Sequence, residues 1–429
     1  MKSQTKPATP HLSPSIRKGL LTMLDRSFLK SGNTPTLFSA FIYFDLSFMV
    51  WVILGPLGVA IGKSFHLDPV QKGLMVAVPV LSGALLRLVA GVLVDHIGPR
   101  RTGLLAQAIV LVGLGLAWFL GVHNYDQILI LGVVLGVAGA SFAIALPLAS
   151  RWYPPEYQGL ALGIAGAGNS GTALAALFAP SLAQAYGWGN VIGLATLPLA
   201  VAFIVFAIFA KDAPGRPPAK TLAQYLEVLR MPDAWWLMLL YFVTFGGFVG
   251  LSTSLTIYFN SEYGLPAVIA GFFTAACVFA GSFARPIGGA LADRFGGVRT
   301  LSVVYVLAGA GLAVASFKVP SAAAALAVLM FSMMALGAGN GAVFQLVPQR
   351  FAKEIGVMTG LVGMTGGAGG FYLAASLGWA KQVTGSYQAG LAGFACLALL
   401  AVICLTSVKD HWRRTWNLGA GSALAPIRL

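Results

Sequence analysis

The chain has 429 residues, of which 58% are hydrophobic and 9% are charged, and it carries a formal net charge of +14. So few charged residues exclude a soluble globular protein and are typical of a polytopic helical membrane protein. The positive charge does not require a nucleic-acid partner, because Lys and Arg collect on the cytoplasmic rim of such proteins.

Twelve apolar segments have the length of a membrane-spanning helix. They lie near 37–62, 73–97, 102–122, 128–150, 157–184, 188–210, 234–260, 268–293, 299–317, 322–347, 357–380 and 388–408. The predicted fold class is an all-α polytopic membrane protein with two pseudo-symmetric halves of six helices. The predicted units are a cytoplasmic tail 1–36, a first bundle 37–210, a Pro-rich basic linker 211–232, a second bundle 233–408 and a cytoplasmic tail 409–429.

The basic residues predict the orientation of the chain. Of the 27 Lys and Arg, two lie inside predicted spans and four lie on one side of the membrane, namely Lys63, Lys72, Lys318 and Lys381. The others lie in the termini, the linker and the loops of the opposite side, so the positive-inside rule places both termini in the cytoplasm. We expect a multi-pass protein of the cell (inner) membrane without a cleaved signal peptide.

The sequence does not indicate cofactor chemistry. Its three cysteines fall inside predicted helices, its five histidines have no metal-ligand spacing, and no nucleotide-binding loop is present. We therefore expect no disulfide, metal, cofactor or use of ATP. We also expect no enzyme activity, because no pairing of a nucleophile with a base falls in the membrane.

The first segment contains FIYFDLSFMVWVILGPLG, in which Asp45 is the one acidic residue that we place well inside the membrane. Helical rise puts it about 12 Å from the cytoplasmic end of the segment. The alternative is a helix that starts later and leaves Asp45 near the interface.

The second and eighth segments share a motif. The stretch LLRLVAGVLVDHIGPRR, Leu85–Arg101, returns 198 residues later within SFARPIGGALADRFGGVR, Ser282–Arg299. The offset pairs Arg87 with Arg285, Gly91 with Gly289, Leu93 with Leu291, Asp95 with Asp293, Gly98 with Gly296 and Arg101 with Arg299. Each arginine precedes its aspartate by about 12 Å of helix, near mid-depth of an apolar core about 30 Å thick. A charge at that depth is costly and marks a functional site by default.

The fifth and eleventh segments, GLALGIAGAGNSGTALAA and GLVGMTGGAGGFYLAA, are rich in glycine. Small residues let membrane helices approach closely, so we assign packing or gating roles to Gly163, Gly168, Gly171, Gly367 and Gly369. Asn169 is different, because a buried amide in hydrocarbon needs hydrogen-bond partners. The repeat does not duplicate it, and Asn340 appears in the tenth segment instead.

Two six-helix repeats with charges at mid-depth describe a secondary transporter that works by alternating access. The G-x-L-x-D-x-x-G-x-x-R loop in both repeats resembles the signature of the major facilitator superfamily. The resemblance implies that four loop residues latch cytoplasmic helix ends and have gating and structural roles, namely Asp95, Arg101, Asp293 and Arg299.

The charges inside the membrane indicate the substrate. Arg87 and Arg285 contribute +2 and Asp45 at most −1, so a transported anion is the simplest source of the missing negative charge. A guanidinium fork suits flat oxyanions such as carboxylate or nitrate. Backbone carbonyls or Asp45 could pair one arginine but hardly both. The other lining candidates are aromatic or small, which suits a small, flat, monovalent anion.

The glycine-rich segments, the arginine pair, SFARPIGG in the eighth segment and LLYFVTFGGF in the seventh resemble the nitrate/nitrite porter family of NarK type. The resemblance implies nitrate and nitrite as substrates. It implies that the anion is bound by Arg87, Arg285, Asn169 and Tyr241, with Phe142 and Phe245 as sandwich or gate aromatics. We add Phe48 and Asn340 to the expected substrate-binding set.

The stretch FD-x-SFM-x-WV resembles members associated with proton-coupled nitrate uptake. We therefore expect nitrate/proton symport with Asp45 as proton carrier. The first alternative is nitrate/nitrite antiport, because two unpaired arginines resist the movement of an empty carrier. Further alternatives are a carrier of another small anion and an anion sensor that does not translocate, for which the predicted tails and linker are short. The remaining expected partner is the lipid bilayer.

Overall fold

The computed structural model describes residues 26–214, 223, 227–351 and 354–417, and the regular secondary structure of these residues is helical. Most of the two predicted tails and part of the predicted linker lie outside the described residues. A short helix, Arg26–Ser31, precedes twelve long helical segments.

The twelve segments, α1 to α12 in chain order, are Thr34–Ser64, Pro69–Ile97, Pro99–Leu120, Tyr125–Ser150, Ala161–Tyr186, Trp188–Phe209, Pro232–Tyr263, Ala267–Phe295, Gly297–Ala315, Ala322–Arg350, Ile355–Thr384 and Gln388–Trp416. Within the described residues, eleven are long and apolar enough to cross a membrane. The other, α11, has 30 residues, more than the roughly 20 that a span needs, but its glycines and threonines lower its hydropathy. The prediction of an all-α polytopic membrane fold is confirmed.

The ends of the helices differ from the predicted ends by a few residues, with one larger exception. α12 continues to Trp416 instead of ending at 408, so part of the predicted C-terminal tail is helical. The indole nitrogens of Trp412 and Trp416 donate to the buried carboxylate of Asp233 at 2.8 and 3.2 Å. These bonds hold the extra helical turns against the start of α7.

Four segments are interrupted within their length. α1 breaks between Trp51 and Leu54, α4 breaks between Gly139 and Ser141, α5 contains a 3-10 turn at Ala167–Ser170, and α6 breaks between Leu194 and Thr196. The last carbonyl groups of a helix lack intrahelical partners. The breaks therefore offer backbone acceptors inside the bundle.

We call α1–α6 the first half and α7–α12 the second half. The linker side is the side where α2 and α8 end, and the far side is the side where they begin. The halves are in close contact on the far side: a methyl group placed on Gly73 would lie 2.9 Å from Cα of Gly378. Toward the linker side, a methyl group on Gly163 or Gly360 would meet no atom within 4 Å. The halves are therefore packed together at Gly73 and Gly378 on the far side, whereas Gly163 and Gly360 face open space toward the linker side.

The linker-side helix ends are held by different partners in the two halves. In the first half, Arg151 donates to Asp95 at 3.2 Å. Arg350, 199 residues after Arg151 in the sequence, instead pairs with Asp233 at 2.5 Å. Arg101 and Arg299 are exposed. A latch role for Asp95 fits its ion pair, whereas the second half anchors its arginine through α7.

Candidate anion-binding site

Arg87 lies on α2, ten residues or about 15 Å before Ile97, and its side chain is fully buried. Its Nε donates to the carbonyl oxygen of Gly139 at 3.2 Å, at the break in α4. Its Nη1 donates to the carbonyl oxygen of Gly363 on α11. Nη2 is buried and has no hydrogen-bond partner among the described residues. Two of the three nitrogens are thus held by backbone carbonyls, and the third is available to a ligand.

Four aromatic rings surround this guanidinium. The distances from Cζ of Arg87 to the ring centres are 5.0 Å for Phe245, 5.2 Å for Phe142, 5.3 Å for Trp51 and 5.9 Å for Phe48. Ring faces attract a cation through their quadrupoles. The rings and carbonyls together compensate a charge that has lost its water.

Arg285 occupies the equivalent place on α8, ten residues before Phe295. It is half-buried, and its Nη1 is buried without a hydrogen-bond partner among the described residues. Its Cζ lies 5.9 Å from the ring centre of Phe142 and 5.8 Å from that of Phe344. Phe142 therefore contacts both arginines, which repel each other electrostatically. The two predicted cations do converge on one place between the halves.

The buried ring of Tyr241 forms a further wall of the space near Arg87 and Arg285. Its ring stacks on Phe245 with 5.1 Å between centres and 9° between planes, and it meets the edge of Phe344 at 5.1 Å. Its hydroxyl interacts electrostatically with Arg285 and Arg87 but makes no hydrogen bond of normal geometry. This hydroxyl is a polar group that a bound anion can engage.

The two predicted amides are both buried and incompletely bonded. Asn169 lies in the 3-10 turn of α5 and is 1% exposed, and its Oδ1 has no hydrogen-bond partner among the residues that the structure describes. Asn340 on α10 is 1% exposed, and in the same set of residues neither its Oδ1 nor its Nδ2 has a partner. It precedes Phe344 by four residues and so shares the helix face that carries this ring. Buried polar groups without partners are costly, and a ligand would supply the missing bonds.

Asp45 lies beside the site but does not pair with the arginines. It is 8% exposed, Ser170 donates to its Oδ1 at 2.7 Å, and the backbone of Gly171 also bonds it. Within the described residues it makes no ion pair with either arginine. Since α1 begins at Thr34, Asp45 is about 16 Å into the helix. A late start of the helix is therefore wrong, and carbonyl groups, not Asp45, hold Arg87.

Four of the five predicted structural glycines mark close helix approaches. Methyl groups on Gly168 and Gly171 would overlap Phe44 and the carbonyl oxygen of Asp45 on α1. Those on Gly367 and Gly369 would overlap Ala84 on α2 and Phe242 on α7. The fifth, Gly163, is exposed and has open space around it.

Sequence reasoning missed four groups in contact with these residues: Trp51, Ser170 and the carbonyls of Gly139 and Gly363. Trp51 and Ser170 lie within the quoted motifs FD-x-SFM-x-WV and GAGNSG. The two carbonyls carry no signal in the sequence, because every residue has one.

Comparisons with known proteins bear on the fold and the family of the chain. A bacterial homologue of the human lysosomal transporter Spinster, solved in an inward-facing and occupied conformation, shares the fold with a TM-score of 0.67 and 18% identity, covering 91% of this chain and 98% of its own. The probable nitrate/nitrite transporter NarK2 of Mycobacterium tuberculosis is 34% identical over 365 residues, covering 83% of this chain and 91% of its own. The probable nitrate/nitrite antiporter NarK1 of Thermus thermophilus is 33% identical, covering 84% and 87%.

The model of the Major Facilitator Superfamily matches residues 37–374, most of the chain. The sequence motifs, the helical architecture and the similar proteins all indicate a transporter of this superfamily. The chain is a transport protein and not an enzyme, and it belongs to the NarK-type nitrate/nitrite porters of the Major Facilitator Superfamily.

Proposed function

We propose that this protein carries nitrate, and also nitrite, across the cell membrane by alternating access between its two halves, with both termini in the cytoplasm. The observation that carries the proposal is the pair Arg87 and Arg285, at equivalent positions of the repeat, each with a buried guanidinium nitrogen that has no hydrogen-bond partner in the described part of the chain. Relatives named as nitrate/nitrite transporters support the same substrates.

The chemistry of the site favours a flat monovalent oxyanion. Guanidinium groups offer planar donors that match the planar oxygens of nitrate. Phe142 lies against both arginines, and Tyr241 and Phe344 close the same space. One negative charge between the arginines offsets their mutual repulsion, which is uncompensated when the site is empty.

The coupling that we propose is nitrate/proton symport through Asp45. Asp45 accepts a hydrogen bond from Ser170, the neighbour of Asn169 in the 3-10 turn of α5. An ionised carboxylate only accepts hydrogen bonds, whereas a protonated one can also donate. A proton on Asp45 therefore changes the bonding of the turn that carries Asn169, and this links proton and anion through one short segment.

The test is uptake of labelled nitrate into proteoliposomes with and without an inward proton gradient. Asp45→Asn mimics the protonated state, so it should abolish gradient-driven uptake while nitrate binding and nitrate/nitrite exchange remain. Asp126→Asn, at an exposed acidic residue in the first turn of α4, is the matched control and should behave as wild type. Full gradient-driven uptake by Asp45→Asn would make Asp45 a structural residue.

The second candidate is nitrate/nitrite antiport. It is favoured by the repulsion between Arg87 and Arg285. If an anion is bound during both the inward and the outward movement, the protein never changes conformation with the two charges uncompensated. A relative named as an antiporter supports it. In the same proteoliposomes, wild-type uptake that requires internal nitrite and ignores the proton gradient would establish antiport.

A further inference from the structure

One of the bonds that hold Arg87 crosses between the two halves. Arg87 belongs to the first half, and its Nη1 donates to the carbonyl oxygen of Gly363 in the second half. A methyl group placed on Gly363 would lie 3.5 Å from Cδ of Arg87 and 3.3 Å from Cε1 of Phe142, which independently shows the close approach. The bond from Nε to Gly139, in contrast, stays within the first half. The Gly363 bond alone therefore depends on how the halves are arranged.

A flat oxyanion binds a guanidinium most strongly through two adjacent donors. In the arrangement described here, Nε of Arg87 donates to Gly139 and one of the two N–H groups of Nη1 donates to Gly363, while Nη2 has no partner among the described residues. This is also the arrangement in which the halves are closed on the far side, with Gly73 against Gly378. Because Nε is taken, a flat oxyanion can reach two nitrogens of Arg87 only along the edge formed by Nη1 and Nη2, and the Gly363 carbonyl lies against Nη1 on this edge.

We infer that Gly363 is a positioning residue whose backbone carbonyl competes with the transported anion for Arg87 and so weakens anion binding in the arrangement described here. The inference rests on the proposed function. An anion that binds Nη1 and Nη2 together displaces the carbonyl from Nη1, and release of the anion returns Nη1 to the carbonyl.

The direct test replaces the amide between Gly363 and Met364 by an ester, which makes the Gly363 carbonyl a weaker acceptor and leaves every side chain in place. The matched control is the same replacement between Gly360 and Leu361, one turn earlier on α11, where the glycine faces open space. The 363 ester should bind nitrate about tenfold more tightly than the control, the scale of one hydrogen bond to a charged group. In proteoliposomes both its KM and its maximal uptake rate should fall, because release becomes slower.

Equal or weaker nitrate binding by the 363 ester, relative to the 360 ester, would overturn the inference. A residue with a merely structural role would raise KM. Failure of wild type to bind nitrate at all would instead overturn the proposed function, because the contact between Gly363 and Arg87 can be measured without nitrate.

A second measurement needs no altered backbone. Gly363–Met364 is the single Gly-Met step in the sequence, so carbonyl-13C glycine with 15N methionine isolates the NMR signal of this carbonyl. If the arginine guanidinium groups are labelled with 15N, dipolar coupling to the nearby guanidinium of Arg87 should dephase this carbonyl signal in nitrate-free protein. Saturating nitrate should reduce the dephasing. Dephasing that is absent without nitrate, or unchanged by saturating nitrate, would contradict the competition.

Discussion

At the scale of single residues, the two arginines are related by the repeat but are held differently. Arg87 is fully buried and donates to two carbonyls, whereas Arg285 is half-buried and keeps a buried nitrogen without a partner. Loss of Arg87 therefore removes two bonds to backbone carbonyls, whereas loss of Arg285 removes a donor nitrogen that is free for a ligand and the interaction with Tyr241.

We predict that Arg87→Lys and Arg285→Lys each weaken nitrate binding at least about a hundredfold, because an ammonium group lacks the planar fork. Arg87→Lys should also lower the free energy of unfolding by about 2–3 kcal/mol through its lost bonds to carbonyls, while Arg285→Lys should not. Isothermal calorimetry and thermal unfolding measure the two effects. Arg230→Lys, at an exposed arginine without an assigned role, is the control. Nitrate transport at wild-type rate in either site variant would remove that arginine from the site.

Asn169 gives a second prediction at this scale. Its Oδ1 has no partner in the structure, and a half-turn of the amide would present Nδ2 there to an anion. Asn169→Ala should weaken nitrate binding by roughly 1–2 kcal/mol, about five- to thirtyfold, without unfolding the protein. Asn190→Ala, at an exposed amide on α6, is the control. If Asn169→Ala unfolds the protein while the residual folded fraction binds nitrate normally, the amide serves helix packing.

At the scale of helices, the contact between α1 and α5 brings Asp45 to Ser170, the neighbour of Asn169. Gly171 permits this contact, because a methyl group there would overlap the carbonyl oxygen of Asp45. A backbone atom cannot turn aside as a side chain can, so any substitution must push the two helices apart.

We predict that Gly171→Ala lowers the free energy of unfolding by about 1–3 kcal/mol, the usual cost of overpacking, and reduces nitrate uptake. Gly163→Ala adds the same methyl group to the same segment in open space and should be neutral in both assays. Thermal unfolding and uptake of labelled nitrate, measured for both variants, test this prediction. Equal behaviour of the two variants would mean that α1 and α5 are not in close contact in the working protein.

At the scale of the whole molecule, the far side is sealed by backbone contacts between the halves. A methyl group on Gly73 would meet Gly378 across that seal. We predict that Gly73→Ala shifts the protein toward the far-side-open state while nitrate binding is retained. Electron–electron resonance between labels at the exposed Ser64 and Ser261, in a background free of native cysteines, should show a longer distance. Gly189→Ala, in open space, should leave the distance unchanged, and the same distance in Gly73→Ala would contradict the prediction.

The class of the molecule, its number of long helices and its pair of arginines can be read from the sequence alone. These properties are readable because they are local or repeated: a span needs about 20 apolar residues in a row. A charge inside such a run stands out by its cost. The sequence repeat showed that Arg87 and Arg285 occupy equivalent positions, without any knowledge of their contacts. The quoted motifs indicated the family.

The groups that contact these residues could not be predicted from the sequence and became known from the three-dimensional arrangement of the helices. It paired Asp45 with Ser170 instead of an arginine, and it brought the Gly139 and Gly363 carbonyls to Arg87. It also left Gly163 in open space although its neighbours in the glycine pattern are tightly packed. The physical reason is that backbone carbonyls are the same at every position, and the close approach of two helices depends on both surfaces. The spacing of residues along one helix therefore cannot say which partner stands opposite.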